Sequence, residues 1–216
     1  PEMAKEEARE GAHVLDLCTA FVGRDEVRDM KECVRRMALQ VRLPLMIDST
    51  EAPAIEAALE LAGGRCLINS INLEDGREKF ERVVPIANRY GAALVVGCID
   101  EDKAQAQAIT RQRKLAIAER SHELLTTKYG VAPEDIVFDA LVFPVGTGDQ
   151  NYIGSGVETI EGIRLIKEKL PRCKTILGVS NVSFGLPAAG REVLNSVFLY
   201  HCVQAGLDMA IVNSEK

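Results

Sequence analysis

The chain has 216 residues, of which 47% are hydrophobic and 27% charged, with a formal net charge of −6. That is enough apolar material for a true core, so the chain need not be disordered and has room for one sizeable domain or two very small ones. The acidic balance, with no clustered Lys/Arg stripe, excludes nucleic acid as an expected partner, because such affinity comes mostly from neutralising phosphates.

The chain opens on a short helix, expected at about Met3–Glu10. Apolar runs rich in Val, Ile and Leu then recur at 14–17, 45–47, 66–68, 93–99, 136–138, 175–179 and 209–212. Each is too short for a helix, and together they predict seven strands. Between the first and second runs, Val27, Met30, Val34, Met37, Ala38 and Val41 keep helical spacing; before the sixth, Ile160, Ile163, Ile166 and Leu170 do the same. Pro53 suits the first turn of the helix after the second strand, and Gly63-Gly64 its end. Pro85 lies inside the helical segment 77–90, which requires a late start or a kink. Gly91, Gly130 and Gly206 each close a helical segment just before a strand.

Strict alternation of strand and helix, with strands apolar throughout, predicts a parallel sheet covered by helices. A (β/α)8 TIM barrel and a doubly wound sheet both satisfy this. The barrel is favoured by the polar residue at nearly every strand end: Asp16, Asp48, Asn69, Asp100, Asp139, Asn181 and Asn213. In a barrel these ends ring one mouth, where active sites of the fold are built, whereas an open sheet spreads them along an edge. A complete barrel has eight strands in roughly 250 residues, so the first strand and last helix are expected outside this chain. The expectation is one barrel domain over residues 1–216, cut from a larger protein of several modules.

The longest apolar run, Gly91 to Ile99, is far short of the ~20 residues that span a bilayer, and the first ten residues are charged. No membrane association and a cytoplasmic location are expected. The six cysteines (Cys18, Cys33, Cys66, Cys98, Cys173, Cys202) are scattered, with no C-x-x-C pair and no His at ligand spacing. They read as small hydrophobes rather than a disulfide framework or zinc site. His13, His122 and His201 are equally isolated and read as structural or surface residues.

Four segments stand out: Asp48-Ser49-Thr50, Asn69-Ser70, Asp139 and Ser180-Asn181. Any one alone is an ordinary helix cap or Asx turn. Two carboxylates and two carboxamides at one rim instead describe a pocket for a neutral heterocycle. Carboxylates accept from an amidine-like pair of N–H groups, and each Asn offers a donor beside an acceptor. A phosphate site would want a Gly-rich backbone or Lys/Arg on the last strands.

The segments GAHVLDL, PLMIDST, CLINSIN, YGAALVVGCIDE, PEDIVFDALVFPVGTG, LGVSNVSFGLP and VLNSVFLYHCVQAGLDMAIVN resemble, in order, the pterin-binding (folate) module of cobalamin-dependent methionine synthase. A wider resemblance takes in corrinoid methyltransferases that use methyltetrahydrofolate, and a looser one dihydropteroate synthase. The resemblance implies a (β/α)8 barrel whose first strand, with its own pterin-contacting Asn, precedes Pro1. It implies that Asp48, Asn69 and Asp139 hold the pterin ring, that Gly178 lets backbone approach it, and that Asn181 faces nitrogen-5. Arg191 is implied to contact the ligand near the mouth. Three positions depart from the family pattern. Cys18 stands where Asn is usual, Ala140 replaces the proline of FDP, and Arg191 is displaced by an insertion, Ala188-Ala189-Gly190.

The implied function is to bind 5-methyltetrahydrofolate and activate its methyl group for transfer to cob(I)alamin, the first half-reaction of methionine synthesis. Asn181 is the candidate catalytic residue: its amide can donate to nitrogen-5 as charge develops there, while water supplies the proton. Cobalamin and the zinc site for homocysteine are implied to belong to other modules of the same polypeptide, since no D-x-H-x-x-G loop or paired-Cys site occurs here. Phe143, Tyr152 and Phe184 are candidate contacts for the cobalamin module, though Phe143 and Phe184 suit a packed position equally well. Two alternatives stay open: a dihydropteroate synthase-like enzyme, and a folate-binding module with no activity of its own. Against the former, Ser180-Asn181 and the closing VNSEK lack the Arg-His pair that family shows.

Overall fold

Every apolar run named above becomes a strand in the computed structural model, which describes residues 1–213; Ser214-Glu215-Lys216, the end of VNSEK, lies outside the described residues. The elements are α1 (Glu2–Arg9), β1 (Leu15–Cys18), α2 (Glu26–Ala38), β2 (Leu45–Asp48), α3 (Ala52–Leu59), β3 (Leu67–Ile71) and α4 (Glu78–Tyr90), followed by β4 (Ala93–Gly97), α5 (Arg111–Thr127), β5 (Ile136–Asp139), α6 (Ser155–Lys169), β6 (Lys174–Gly178), α7 (Ala188–Ala205) and β7 (Met209–Ile211). The strands form a sheet in chain order, β1 to β7, with parallel ladders between β1, β2 and β3 and between β5, β6 and β7. A doubly wound sheet reverses its strand order at a switch point, and this sheet does not. The class is therefore that of the (β/α)8 barrel, with seven strands among the described residues.

Two compact units make up the chain. The first holds Pro1–Ile71, Arg77–Val95 and Asn213; the second holds Asn72–Gly76 and Val96–Val212.

In the first unit, α2 starts where the Asp25 carboxylate accepts from the Arg28 N–H at 3.0 Å, an N-cap that satisfies an otherwise orphaned donor. It buries Met30, Val34 and Met37, one stripe at helical spacing; Val41, expected on the same stripe, lies beyond its end. Pro53 sits in the first turn of α3, which buries Ala54, Ile55, Ala57, Ala58 and Leu59. The helix α4 contains Pro85 and begins at Glu78, so the late start is excluded. It stops at Gly91, whose φ of 66° is a left-handed conformation that a side chain would oppose.

In the second unit, α5 buries Lys114, Ile117, Ala118, Ser121 and Leu125, and α6 buries Ser155, Thr159, Gly162, Ile163 and Ile166. The two helices pack closely enough that a Cβ on Gly162 would lie 2.7 Å from Lys114 Cδ. Phe138 and Leu177, from adjacent strands, are fully buried, and each such side chain contributes about 1.5–3 kcal/mol relative to exposure. Asp208 ties β6 to the loop before β7, accepting from the Thr175 N–H and Lys167 Nζ, both at 2.9 Å.

Cys66, Cys98, Cys173 and Cys202 are buried, as small hydrophobes should be, whereas Cys18 is exposed. Among the described residues no group of His, Cys, Asp and Glu is arranged to hold a metal ion, and no helix is long and apolar enough to cross a membrane. Phe143 is packed, stacking on Tyr152 with ring centroids 5.0 Å apart, while Phe184 is 62% exposed.

Candidate functional site

In the first unit the site residues share one rung of the sheet. Parallel register pairs Cys18 with Asp48 and Asp48 with Asn69, so the three side chains project to the same face. Asn69 and Asp16 lie inside their strands rather than at the ends expected, because β3 and β1 run on to Ile71 and Cys18. Asp16, two residues before Cys18, shares that face. Although Asp16 is exposed, the strand around it strips part of its hydration and raises its carboxyl to about 6, with the Asp48 charge adding to the effect. Asp48 is itself raised, mainly by burial and further by Glu26, against a hydrogen bond from the Cys18 thiol that favours its ionised form. Cys18 therefore supplies a weak donor to the neighbouring carboxylate.

Behind this rung the Ser49 hydroxyl donates to Glu26 Oε1 at 2.5 Å and accepts from the Glu51 N–H at 3.0 Å. The Ser49 N–H donates to the Asn69 carbonyl at 3.0 Å. The turn after β2 is thus fixed to β3, which holds Asp48 and Asn69 side by side. The Asn69-Ser70 peptide is cis.

In the second unit Asp139 closes β5. Its Oδ1 accepts from the Leu141 N–H at 2.9 Å, an Asx turn that leaves Oδ2 for a ligand. Burial raises its carboxyl to about 6, against the Leu141 N–H and the Lys114 charge, which both lower it. Such a carboxylate is short of hydrogen bonds in its ionised form and favours a ligand that brings N–H donors.

The next strand ends at Gly178, and residues 179–183 form a 3-10 turn that carries Asn181. Asn181 is exposed, and its side chain folds back so that Nδ2 would stand 3.1 Å from a Cβ on Gly178. The glycine therefore makes room for the amide. Arg191 in α7 braces the same turn, its guanidinium donating to Ser183 Oγ at 3.1 Å and to the Ser180 carbonyl at 3.3 Å.

Two functional candidates escaped the sequence reading. Glu26 is one, and nothing in the sequence pairs it with Ser49. Lys114 is the other, and it did leave a signal: it falls on the same helical stripe as Ile117, Ala118 and Leu125, a lysine on the buried face of its helix.

The model of the family described as pterin binding enzymes matches residues 2–213, and so runs through both units. The methionine synthase of Mycobacterium tuberculosis is 47% identical over 218 residues, and that of Mycobacterium leprae 46%; each match takes in 100% of this chain and 18% of the relative. The chain thus spans less than a fifth of these relatives. Among solved structures, a Yersinia pestis DHPS with a pterine-sulfa conjugate superposes with a TM-score of 0.69 at 11% identity, over 97% of this chain and 80% of that one. The dihydropteroate synthase of Thermus thermophilus in complex with 6HMPPP superposes with a TM-score of 0.65 at 23% identity, over the same shares. At such identities the structural likeness speaks for the fold.

Proposed function

Because this chain belongs to the pterin-binding enzyme family, we propose that it binds 5-methyltetrahydrofolate and activates the methyl group for transfer to cob(I)alamin, as part of methionine synthesis. The observation that carries this reading is the 47% identity to a methionine synthase along the entire chain. The side chains of each unit, taken by itself, suit such a ligand. In the first, Asp48 and Asn69 are acceptors of the kind that pterin N–H groups need; in the second, Asp139 is another, and Gly178 and Arg191 shape the turn that presents Asn181.

In the reaction the bond between nitrogen-5 and its methyl carbon breaks, the electron pair stays on nitrogen, and nitrogen gains a proton. The nucleophile that takes the methyl group would be a reduced corrinoid held by another module. An unassisted tertiary amine nitrogen leaves poorly. Asn181 Nδ2 donates a hydrogen bond to nitrogen-5 as negative charge develops there, and this interaction strengthens only toward the transition state. An amide is not an acid at neutral pH, so the proton comes from water. The homocysteine-binding module and its zinc lie, on this reading, elsewhere in the same polypeptide, as does the cobalamin module.

Two measurements on the purified chain test the proposal. Calorimetric titration with methyltetrahydrofolate is expected to show saturable binding, and stopped-flow mixing with free cob(I)alamin is expected to show folate-dependent methyl transfer. Binding without transfer reduces the chain to a folate carrier, and absence of binding ends the proposal.

A further inference from the structure

The second unit contains a fully buried ammonium that the proposed mechanism does not use. We propose that Lys114 is a positioning residue for the pterin site, clamping the loop after β5 from α5 and so aiming the Asp139 carboxylate at the ring. This rests on the reading of Asp139 as a pterin ligand.

The geometry is that of a three-toothed clamp. Lys114 Nζ donates to the carbonyls of Ala108 at 2.8 Å, Ala140 at 2.5 Å and Leu141 at 3.3 Å, matching the three protons of an ammonium to three acceptors. The lysine is completely buried. A methionine or leucine would fill the same space without the large desolvation cost of a buried cation. Packing alone therefore does not account for a lysine, and what it holds does.

Two of the three carbonyls belong to the residues that directly follow Asp139. Ala140 has no ring to restrict its backbone, so the loop depends on hydrogen bonds. Leu141 has a φ of 62°, a left-handed conformation that a non-glycine residue adopts only when its surroundings hold it there. Its carbonyl is held from both sides, by Lys114 and by Thr159 Oγ1 at 2.9 Å. Its N–H in turn grips Asp139 Oδ1. The orientation of the carboxylate therefore follows from the backbone of Leu141, and that backbone follows from the clamp. The Phe143 ring, its centroid 5.2 Å from Nζ, closes the cation off.

Charge works in the same direction. The ionisable groups that face Lys114 are Cys98 after β4, Asp139 at the end of β5 and Glu158 in α6. Glu158 is already paired with Arg111 at 2.6 Å. Burial lowers the ammonium to about 8, against all three groups, so it stays charged at neutral pH. That charge in turn favours ionised Asp139.

The test compares the chain with Lys114→Met by methyltetrahydrofolate titration from pH 5 to 8, with amide exchange read at Leu141. The variant is expected to bind at least tenfold more weakly at pH 7.5. Its affinity should also fail at a higher pH than the parent's on acidification, because Asp139 has lost the cation that favours its charge. Protection of the Leu141 N–H should fall while β6 and β7 keep theirs. A lysine that merely fills space would lower thermal stability without moving the pH limb. Binding within twofold of the parent, with an unmoved pH limb, overturns the proposal.

If the variant does not fold, nitrogen-15 spectra of the parent decide. Slowly exchanging Lys114 ammonium protons, with a titration near pH 8, are expected. A rapidly exchanging amine titrating at the ordinary lysine value refutes the clamp. Failure of the parent to bind methyltetrahydrofolate removes the pterin reading, whereas a parent that binds and a variant that binds equally well removes the clamp alone.

Discussion

The amide of Asn181 and the carboxylates of Asp48 and Asp139 carry different parts of the proposed chemistry, and single substitutions separate them. Asn181→Ala removes a donor whose gain is confined to the transition state. Methyl transfer should slow by at least ~100-fold while methyltetrahydrofolate affinity changes much less; stopped-flow rates beside calorimetric affinities measure both, and equal losses count against the role. Asp48→Ala and Asp139→Ala leave ring N–H groups without acceptors. Each should weaken binding by about 3 kcal/mol, roughly a hundredfold or more, and a variant that titrates like the parent misplaces the pocket. At this scale the sequence was most informative about side-chain chemistry. The candidacy of Asp48, Asn69, Asp139 and Asn181 rests on residue types that suit a nitrogenous ring, and that much can be read from the sequence. Their surroundings were not legible, since Glu26 meets Ser49, and Lys114 meets Ala140, only through folding.

Packing between α5 and α6 depends on a residue with no side chain. A methyl group on Gly162 would sit 2.7 Å from Lys114 Cδ, and that lysine cannot swing aside while its ammonium is held by three carbonyls. Gly162→Ala should therefore destabilise the protein by about 1–3 kcal/mol, seen as a lower denaturant midpoint with unchanged slope. An unchanged midpoint would mean that the helices separate freely. Helical periodicity located α6, yet the stripe read from Ile160, Ile163, Ile166 and Leu170 differs from the buried face observed. Ser155, Thr159 and Gly162 share that face with Ile163 and Ile166, because closely approaching helices favour small residues that hydropathy does not mark. Strand ends were misjudged for a related reason. Asn69 and Asp16 are polar yet remain in their ladders, since backbone pairing decides where a strand stops.

For the molecule as a whole, the raised carboxyls of Asp139 and Asp16 predict a pH dependence with a definite sign. In the unfolded chain each loses its proton near 3.8, while in the folded protein each holds it to about 6. Their contribution to stability is therefore complete below pH 4 and is lost as pH rises through 6. Asp139→Asn should gain thermal stability relative to the parent as pH rises from 4 to 7. Ligand binding runs the opposite way. N–H donors favour ionised Asp139, so affinity for methyltetrahydrofolate should rise with pH through about 6, with protons released on binding. Calorimetry in buffers of different ionisation enthalpy reads that release directly, and proton uptake would contradict the assignment.

The order of strands and helices was determined by the sequence, because periodicity and helix caps are local properties of the chain, and the polar residues near the strand ends already favoured the (β/α)8 class over a doubly wound sheet. Which side chains share a rung of the sheet, how far burial lifts each carboxyl, and which backbone groups a buried lysine holds were decided only by the tertiary structure. Those properties depend on distance and on exclusion of water, and both come into being when segments far apart in the chain are packed together.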